Sequence, residues 1–474
     1  MGESNRTSGG SGDASEHGVP PLEHVSTIVR FLHHEMVSSG LLLWASFVAL
    51  ILVNVGYEAW YHDFWEKTFG FTLGGGGFSQ SLHHWVNDGL MALFFFFVGL
   101  EIKRELLAGE LASWRRAVLP AAAAVGGMVV PALIYTAFNI GGEGVNGWGI
   151  AMATDIAFAA GCLALLRKWI PPALMVFLVA LAIVDDLGAV AVIAVFYTDR
   201  IALEPLFIGI GLIALSFVLG RLGVRATLPY VLIGIVLWLA FLESGVHATI
   251  AGVLLAFSIP AKARYETHNF RGRMQQLIDR FTRAEKLWPD ETKAIKDVMV
   301  NTRQQAILRH MGTEIHHVEA PLQRIEHNLQ PFAIFIIMPI FAFANAGVRL
   351  DWAHIGDMIH EPVTLGIVFG LVVGKPLGIV LAAWLAVRTG LAALPKGVSW
   401  PQLTGVGMLA GIGFTMSLFI NELAFLGGDP AHAEALIAQG KIGIFIASGL
   451  AFVGGLALLK ITCREVQETS MGKH

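Results

Sequence analysis

Two adjacent aspartates, Asp185 and Asp186, lie inside the apolar run Phe177–Phe196, well away from either end. A charged side chain at the centre of a membrane helix costs about 2.5–3.5 kcal/mol on insertion scales, so it needs a partner, a wet cavity or a function. Neighbouring helix residues differ by about 100° in direction. One carboxylate is therefore free to face a cavity while the other faces a neighbouring helix. Removal from water disfavours the charged form of a carboxylate. Such a group can hold a proton or a cation, but hardly both, and that competition is the minimal machine for cation/proton exchange. Na+ is a hard cation, and carboxylate, hydroxyl and carbonyl oxygens suit it. A structural pairing of both aspartates is the bland alternative, and their depth in the run favours function.

Few other ionisable residues interrupt apolar sequence. They are Asp88, Asp155, His247 and Lys375. Asp155 follows Thr154, whose hydroxyl adds an oxygen, although an isolated Thr more often bonds its own helix backbone. Small residues from Ala153 to Gly161 flank the pair and let helices approach closely. Gly411 and Gly413, ahead of Phe414 and Thr415, weaken another apolar helix. An interrupted helix leaves unpaired backbone groups and opposed dipole ends at membrane depth. Asp155 suits the positive ends and Lys375 the negative ones. Lys375 precedes Pro376, which predicts a kink. A buried lysine is also the natural counter-charge for one aspartate, whereas apolar residues on both sides argue against snorkelling. The run Glu101-Ile102-Lys103-Arg104-Glu105 reads either as an interfacial anchor or as a funnel that attracts cations and responds to pH. His247 reads as a hydrogen-bonded histidine at a helix end.

The elements that hold these residues follow from composition. The chain has 474 residues, 55% hydrophobic and only 14% charged, with mean hydropathy +0.64. Soluble chains carry about 25% charge, so this one lacks the polar residues to coat a water-soluble domain of its size. Net charge is −4, and no basic-aromatic stripe suggests nucleic acid. Cys162 and Cys463 offer no disulfide framework. No cofactor motif stands out, and His316 and His317 lack zinc-ligand spacing.

Apolar stretches long enough to cross about 30 Å of hydrocarbon recur. They predict twelve spans, numbered 1 to 12, at 40–60, 84–102, 117–139, 149–166, 172–197, 203–220, 228–243, 246–261, 330–349, 363–387, 402–425 and 438–460. The fold class is thus an all-α polytopic membrane protein. Lys and Arg concentrate in the loops after spans 2, 4, 6, 8 and 10 and in the last residues. That alternation places both termini in the cytoplasm. Residues 1–37 form a cytoplasmic tail, disordered over Met1–Pro20 rather than a leader. Residues 38–461 form the transport unit, and 462–474 a second tail. On the outer side, Thr68–Leu73 and Phe78–Leu82 flank Gly74–Gly77 and predict a short β-hairpin, or else a glycine loop. On the inner side, 262–328 is a polar insertion whose stretches 271–287 and 293–310 read as amphipathic helices at the membrane surface.

Six motifs together resemble the NhaA family of bacterial Na+/H+ antiporters. They are Ala153-Thr154-Asp155-Ile156-Ala157-Phe158-Ala159, Leu181 to Ala189 around the aspartate pair, Gly374-Lys375-Pro376-Leu377-Gly378-Ile379, Gly99 to Glu105, Phe341 to Gly347, and Gly411-Ile412-Gly413-Phe414-Thr415-Met416-Ser417. The resemblance implies a secondary antiporter of the inner membrane. It would export Na+, with Li+ as a second substrate, against entering protons, electrogenically and under pH control. It also implies inverted repeats, helices 3–5 and 10–12, with interrupted spans 4 and 11 crossing near the ion site. Asp185 and Asp186 would bind Na+ and protons, with Thr154 and Asp155 at the crossing. Lys375 would pair with Asp185 in the absence of sodium. Glu101, Arg104 and Glu105 would form a pH-responsive funnel, and the hairpin a homodimer contact. The segment Glu326-His327-Asn328-Leu329-Gln330-Pro331 departs from the family's Glu-His-x-x-His-Pro, with Gln330 in place of the second histidine. Glu326 and His327 remain candidates for the pH response.

Two rival classes use similar residues. A sodium-coupled symporter would carry an organic solute through a larger polar cavity. An intramembrane aspartyl protease needs its aspartates on separate helices, one in Gly-x-Gly-Asp, and here Gly411-Ile412-Gly413 runs into Phe414. A transporter rather than an enzyme is the expectation.

Overall fold

The computed structural model describes residues 23–73, 76–198, 201–262, 267–286, 302–350, 355–426 and 430–471. The predicted disorder of Met1–Pro20 lies outside them, as do Gly74, Gly75 and the middle of the insertion. Nine described helices are long and apolar enough to cross a membrane. Two further pairs, Glu143–Met152 with Ile156–Leu165 and Trp400–Ala410 with Phe414–Ala424, pass only together, bent by 44° and 49°. The short apolar helix Ala248–Ser258 occupies the place of span 8. These segments account for the twelve expected spans, with spans 4 and 11 the interrupted ones.

The expected β-hairpin is present, with shifted ends. Its strands are Thr68–Leu73 and Gly76–Ser81, paired antiparallel with Phe71 opposite Phe78. Glycine tolerates strand geometry as well as turns, so Gly76 and Gly77 extend the second strand. Leu82 starts a helix instead, capped by the Ser81 hydroxyl, which accepts from His84 N at 3.2 Å.

Span 9 begins earlier than its apolar run suggested. The helix starts at Pro321 and passes through Phe332 into a wide π-helical turn, Ala333–Ile337. Pro331 lacks an N–H, which unseats one carbonyl of the preceding turn and admits the extra residue. The same cause acts at Pro376, where the π-turn Gly370–Gly374 precedes Lys375. Within the insertion, Thr267–Lys286 and Thr302–Val318 are helices that pack on each other, and Leu277 of the first is buried.

Small residues set the closest helix contacts. Span 3 lies along span 10, and span 8 along span 2. A Cβ at Gly126 would sit 2.2 Å from Gly378 O, and one at Gly378 would sit 2.1 Å from Gly126 O. The two backbones touch there, as small-residue membrane crossings allow. Gly126→Leu is expected to push spans 3 and 10 apart and cost about 1–3 kcal/mol, the usual penalty of overpacking. Detergent melting curves check this; an unchanged midpoint would mean the contact is not made. Lys103 closes the short span 8 by donating to Phe257 O at 2.6 Å and to Ile259 O, carbonyls that the helix end leaves free. Large apolar side chains on spans 6 and 7, such as Phe207, Ile208, Leu232 and Ile235, stay exposed, as befits a surface that meets an apolar phase.

Candidate functional site

The crossing of spans 4 and 11 assembles from chain breaks. Helical backbone stops at Met152 and resumes at Ile156, and stops at Ala410 and resumes at Phe414. Four helix ends therefore meet inside the protein. Two are N-termini, each with a partial positive charge of roughly half a unit, and two are C-termini with the opposite sign.

Asp155 serves both N-termini. Its Oδ1 accepts from Phe158 N at 3.0 Å, capping the second half of span 4. Its Oδ2 accepts from Thr415 N at 3.2 Å and from the Thr415 hydroxyl, capping the second half of span 11. The backbones are also stitched directly, Asp155 N donating to Ile412 O at 2.8 Å. The two C-termini find donors as well. Thr154 Oγ1 donates to Ala410 O at 2.8 Å, so this threonine serves the opposite helix rather than its own. Lys375 Nζ donates to Met152 O, the last carbonyl of the first half of span 4. Gly413 is required by space, since a Cβ there would lie 2.0 Å from Ser417 Oγ.

Lys375 reaches further. Its Nζ lies 2.6 Å from Asp185 Oδ2, and both side chains are buried. Asp185 Oδ1 has no hydrogen-bond partner among the described residues. Asp186 faces elsewhere, as adjacent helix positions must. It is 3% exposed, yet no hydrogen bond or ion pair joins it to the described residues. Asp185, Glu101 and Asp155 are its like-charged neighbours, with Lys375 the nearby cation.

Glu101 leads from Asp186 to the polar cluster at the insertion face. Arg104 lies 3.9 Å from Glu101, 3.4 Å from Glu105 and 2.8 Å from Glu326. Spans 2 and 9 thus bring together four of the five pH-response candidates. His327 is exposed, and no hydrogen bond or ion pair among the described residues links it to them. At the opposite, hairpin face, Asp88 stands between His84 at 2.9 Å and His247 at 3.6 Å. His247 Nδ1 contacts Thr249 Oγ1 at 2.8 Å, at the end of a helix as expected.

Sequence reasoning missed several participants. Ser417 Oγ donates to Ile150 O at 2.9 Å, and Ser448 Oγ accepts from Phe414 N at 3.3 Å, so both brace the break in span 11. A lone serine in an apolar run carries no signal of such a role. Glu422 pairs with Lys441 at 2.9 Å. Both sit near predicted span ends, where charge is ordinary.

Residues 29–459 match the family described as Na+/H+ antiporter 1. Among similar proteins, the Na+/H+ antiporter NhaA of Oleidesulfovibrio alaskensis is 48% identical over 92% of this chain and 94% of its own length. The Na+/H+ antiporter NhaA 1 of Saccharophagus degradans is 46% identical over 90% and 89%. The corresponding protein of Acidithiobacillus ferrooxidans is 47% identical over 92% and 97%.

Proposed function

The chain belongs to the Na+/H+ antiporter 1 family, and from that premise we propose how its residues perform the exchange. It is a multi-pass membrane transporter that exchanges Na+ for H+. The reading as a symporter of an organic solute gains no support, because the relatives carry antiporter names.

Asp186 is the carboxylate that takes Na+ or a proton, and Asp185 is its lysine-held neighbour. One observation carries this assignment: Asp186 is buried, and no hydrogen bond or ion pair joins it to the described residues. A carboxylate in that state has no fixed counter-charge, so a proton or a hard cation supplies one. Na+ on the pair displaces Lys375 from Asp185, and returning protons reverse the exchange. Thr154 adds an oxygen beside the site. Asp155 and Lys375 hold the crossing, with Gly411, Gly413, Phe414 and Thr415 forming the break. Li+, smaller and harder, is a second substrate. The exchange is electrogenic, because two carboxylates can take more than one proton per sodium ion. Glu101, Arg104, Glu105 and Glu326, with His327 nearby, form the pH-responsive entrance.

The bacterial inner membrane is the site of action, with the hairpin face outside and both termini in the cytoplasm, following the basic loops. Residues 38–461 are the transport unit, 1–37 and 462–474 the tails, and 262–328 an insertion offering a regulatory surface. A two-stranded sheet has an outer edge on each strand, which suits strand addition by a second copy and makes the hairpin the homodimer contact. Lipid covers the apolar belt.

Everted vesicles from cells lacking other antiporters, with a pH-sensitive dye, test the assignment. Adding NaCl or LiCl should collapse the proton gradient in the wild type and leave it intact with Asp186→Asn. Full exchange by folded Asp186→Asn protein would remove Asp186 from the site.

A further inference from the structure

Glu422 and Lys441 lie outside the site just described. Glu422 sits near the C-terminal end of the half-helix Phe414–Ala424, and Lys441 on the final helix. Lys441 Nζ is 2.9 Å from Glu422 Oε1, and each residue is 9% exposed. The pair repeats the chemistry of Asp185 and Lys375, a membrane carboxylate held by a lysine from another helix. The surroundings differ. Glu422 lines a cleft of about 520 Å³ together with His83, Asn87 and Asn146. The cleft belongs to the hairpin face, for Ser81, Tyr197, Gly245 and Leu426 on its wall all lie where a strand or helix ends at that face.

One rigid element joins this cleft to the crossing. Thr415, at the start of the half-helix, holds Asp155. Glu422 follows on the same helix about 10 Å along the axis, at 1.5 Å per residue. The C-terminal end of that helix adds partial negative charge beside the carboxylate. Next to it, Asn421 Nδ2 donates to Ile437 O at 3.0 Å, while its buried Oδ1 has no hydrogen-bond partner among the described residues. That oxygen lies against Gly440, where a Cβ would be 1.8 Å away. Two side-chain oxygens, one anionic and one neutral, thus meet the Gly440–Lys441 turn. Among the described residues, the charged or titratable groups that act on Glu422 are Lys441 from span 12 and His83 from the helix that starts at Leu82, and Glu422 in turn acts on Tyr61. Asp88, the other carboxylate of the cleft, is already flanked by His84 and His247.

We propose that Glu422 is a second cation station on the hairpin-face branch of the ion route, where Na+ is held by the Glu422 carboxylate in place of Lys441. This rests on the reading that Na+ is exchanged at Asp185 and Asp186. A cation leaving that pair towards the hairpin face meets Glu422 before open water. The lysine keeps the carboxylate neutralised between passages, as Lys375 does for Asp185.

The test uses the full chain in oriented proteoliposomes at fixed pH, with Na+ supplied to one face at a time. Glu422→Gln should raise half-saturating Na+ about five-fold at the hairpin face, the effect of one lost attraction across a hydrated cleft, and under about two-fold at the insertion face. Lys441→Gln, which leaves the carboxylate unlocked, should lower the hairpin-face value. A pair that merely pins span 11 to span 12 would shift both faces alike, or neither, in both variants, and that result overturns the station. Asp186→Asn is run beside them. If it exchanges normally, the underlying site assignment fails. If it is silent while Glu422→Gln is unshifted, only the station is lost.

Discussion

Asp155→Ala is expected to abolish Na+-driven proton movement and to lower the melting temperature in detergent more than any other substitution at the crossing. The carboxylate satisfies three donors on two helices. Losing a single N-cap costs about 0.5–2 kcal/mol. Here two caps go together, and Thr415 keeps a buried hydroxyl and N–H with no acceptor, each an unmade bond worth about 1–3 kcal/mol. The like-signed helix ends would also face each other without their counter-charge. Spans 4 and 11 should then part, and the oxygens around Asp186 with them. Asp155→Asn separates charge from hydrogen bonding. Its single side-chain oxygen can still cap one helix, so it should melt between the wild type and the alanine variant. Equal melting of wild type and Asp155→Ala would mean that the helix ends are held by other contacts.

The crossing was half legible in the sequence. Aspartate and lysine inside apolar runs are costly enough to stand out, so Asp155, Asp185, Asp186 and Lys375 are visible without coordinates. The glycines at 411 and 413 mark the break in span 11. Which end each charge serves is not visible, because that depends on two segments far apart in the chain meeting end to end. Thr154 illustrates the point. Alone it reads as bonding its own helix, and only the approach of Ala410 O gives it another partner. Ser417 and Ser448 are silent for the same reason. Glu422 and Lys441 escaped notice because proximity to a span end makes charge unremarkable. Span 9 reads too short at its start because polar Arg324, Glu326 and His327 mask the continuity of its helix with Pro321. The polar beginning and the apolar remainder are one rod because helical backbone runs on between them through the π-helical turn Ala333–Ile337.

Removing both partners of the buried pair should be gentler than removing either. Asp185→Asn alone strands an ammonium, and Lys375→Met alone strands a carboxylate, in a site that solvent barely reaches. Breaking a buried pair in this way costs about 3–5 kcal/mol, whereas replacing both charges is often neutral. Each single variant is therefore expected to melt well below the wild type, and the double variant to recover much of that loss. The coupling should exceed about 1 kcal/mol, beyond the additivity of independent sites. Recovery should be incomplete, since Met152 O also loses the lysine's hydrogen bond. Exchange should follow a different pattern. The double variant regains stability without the charge that leaves Asp185 when Na+ binds, so Na+-driven proton movement should stay far below the wild type. Thermal melting and vesicle exchange measured on the same four proteins separate the two roles. Additive melting shifts would mean that Lys375 and Asp185 do not stabilise the fold as a pair. Full exchange by a stable double variant would mean that neither Lys375 nor Asp185 takes part in exchange.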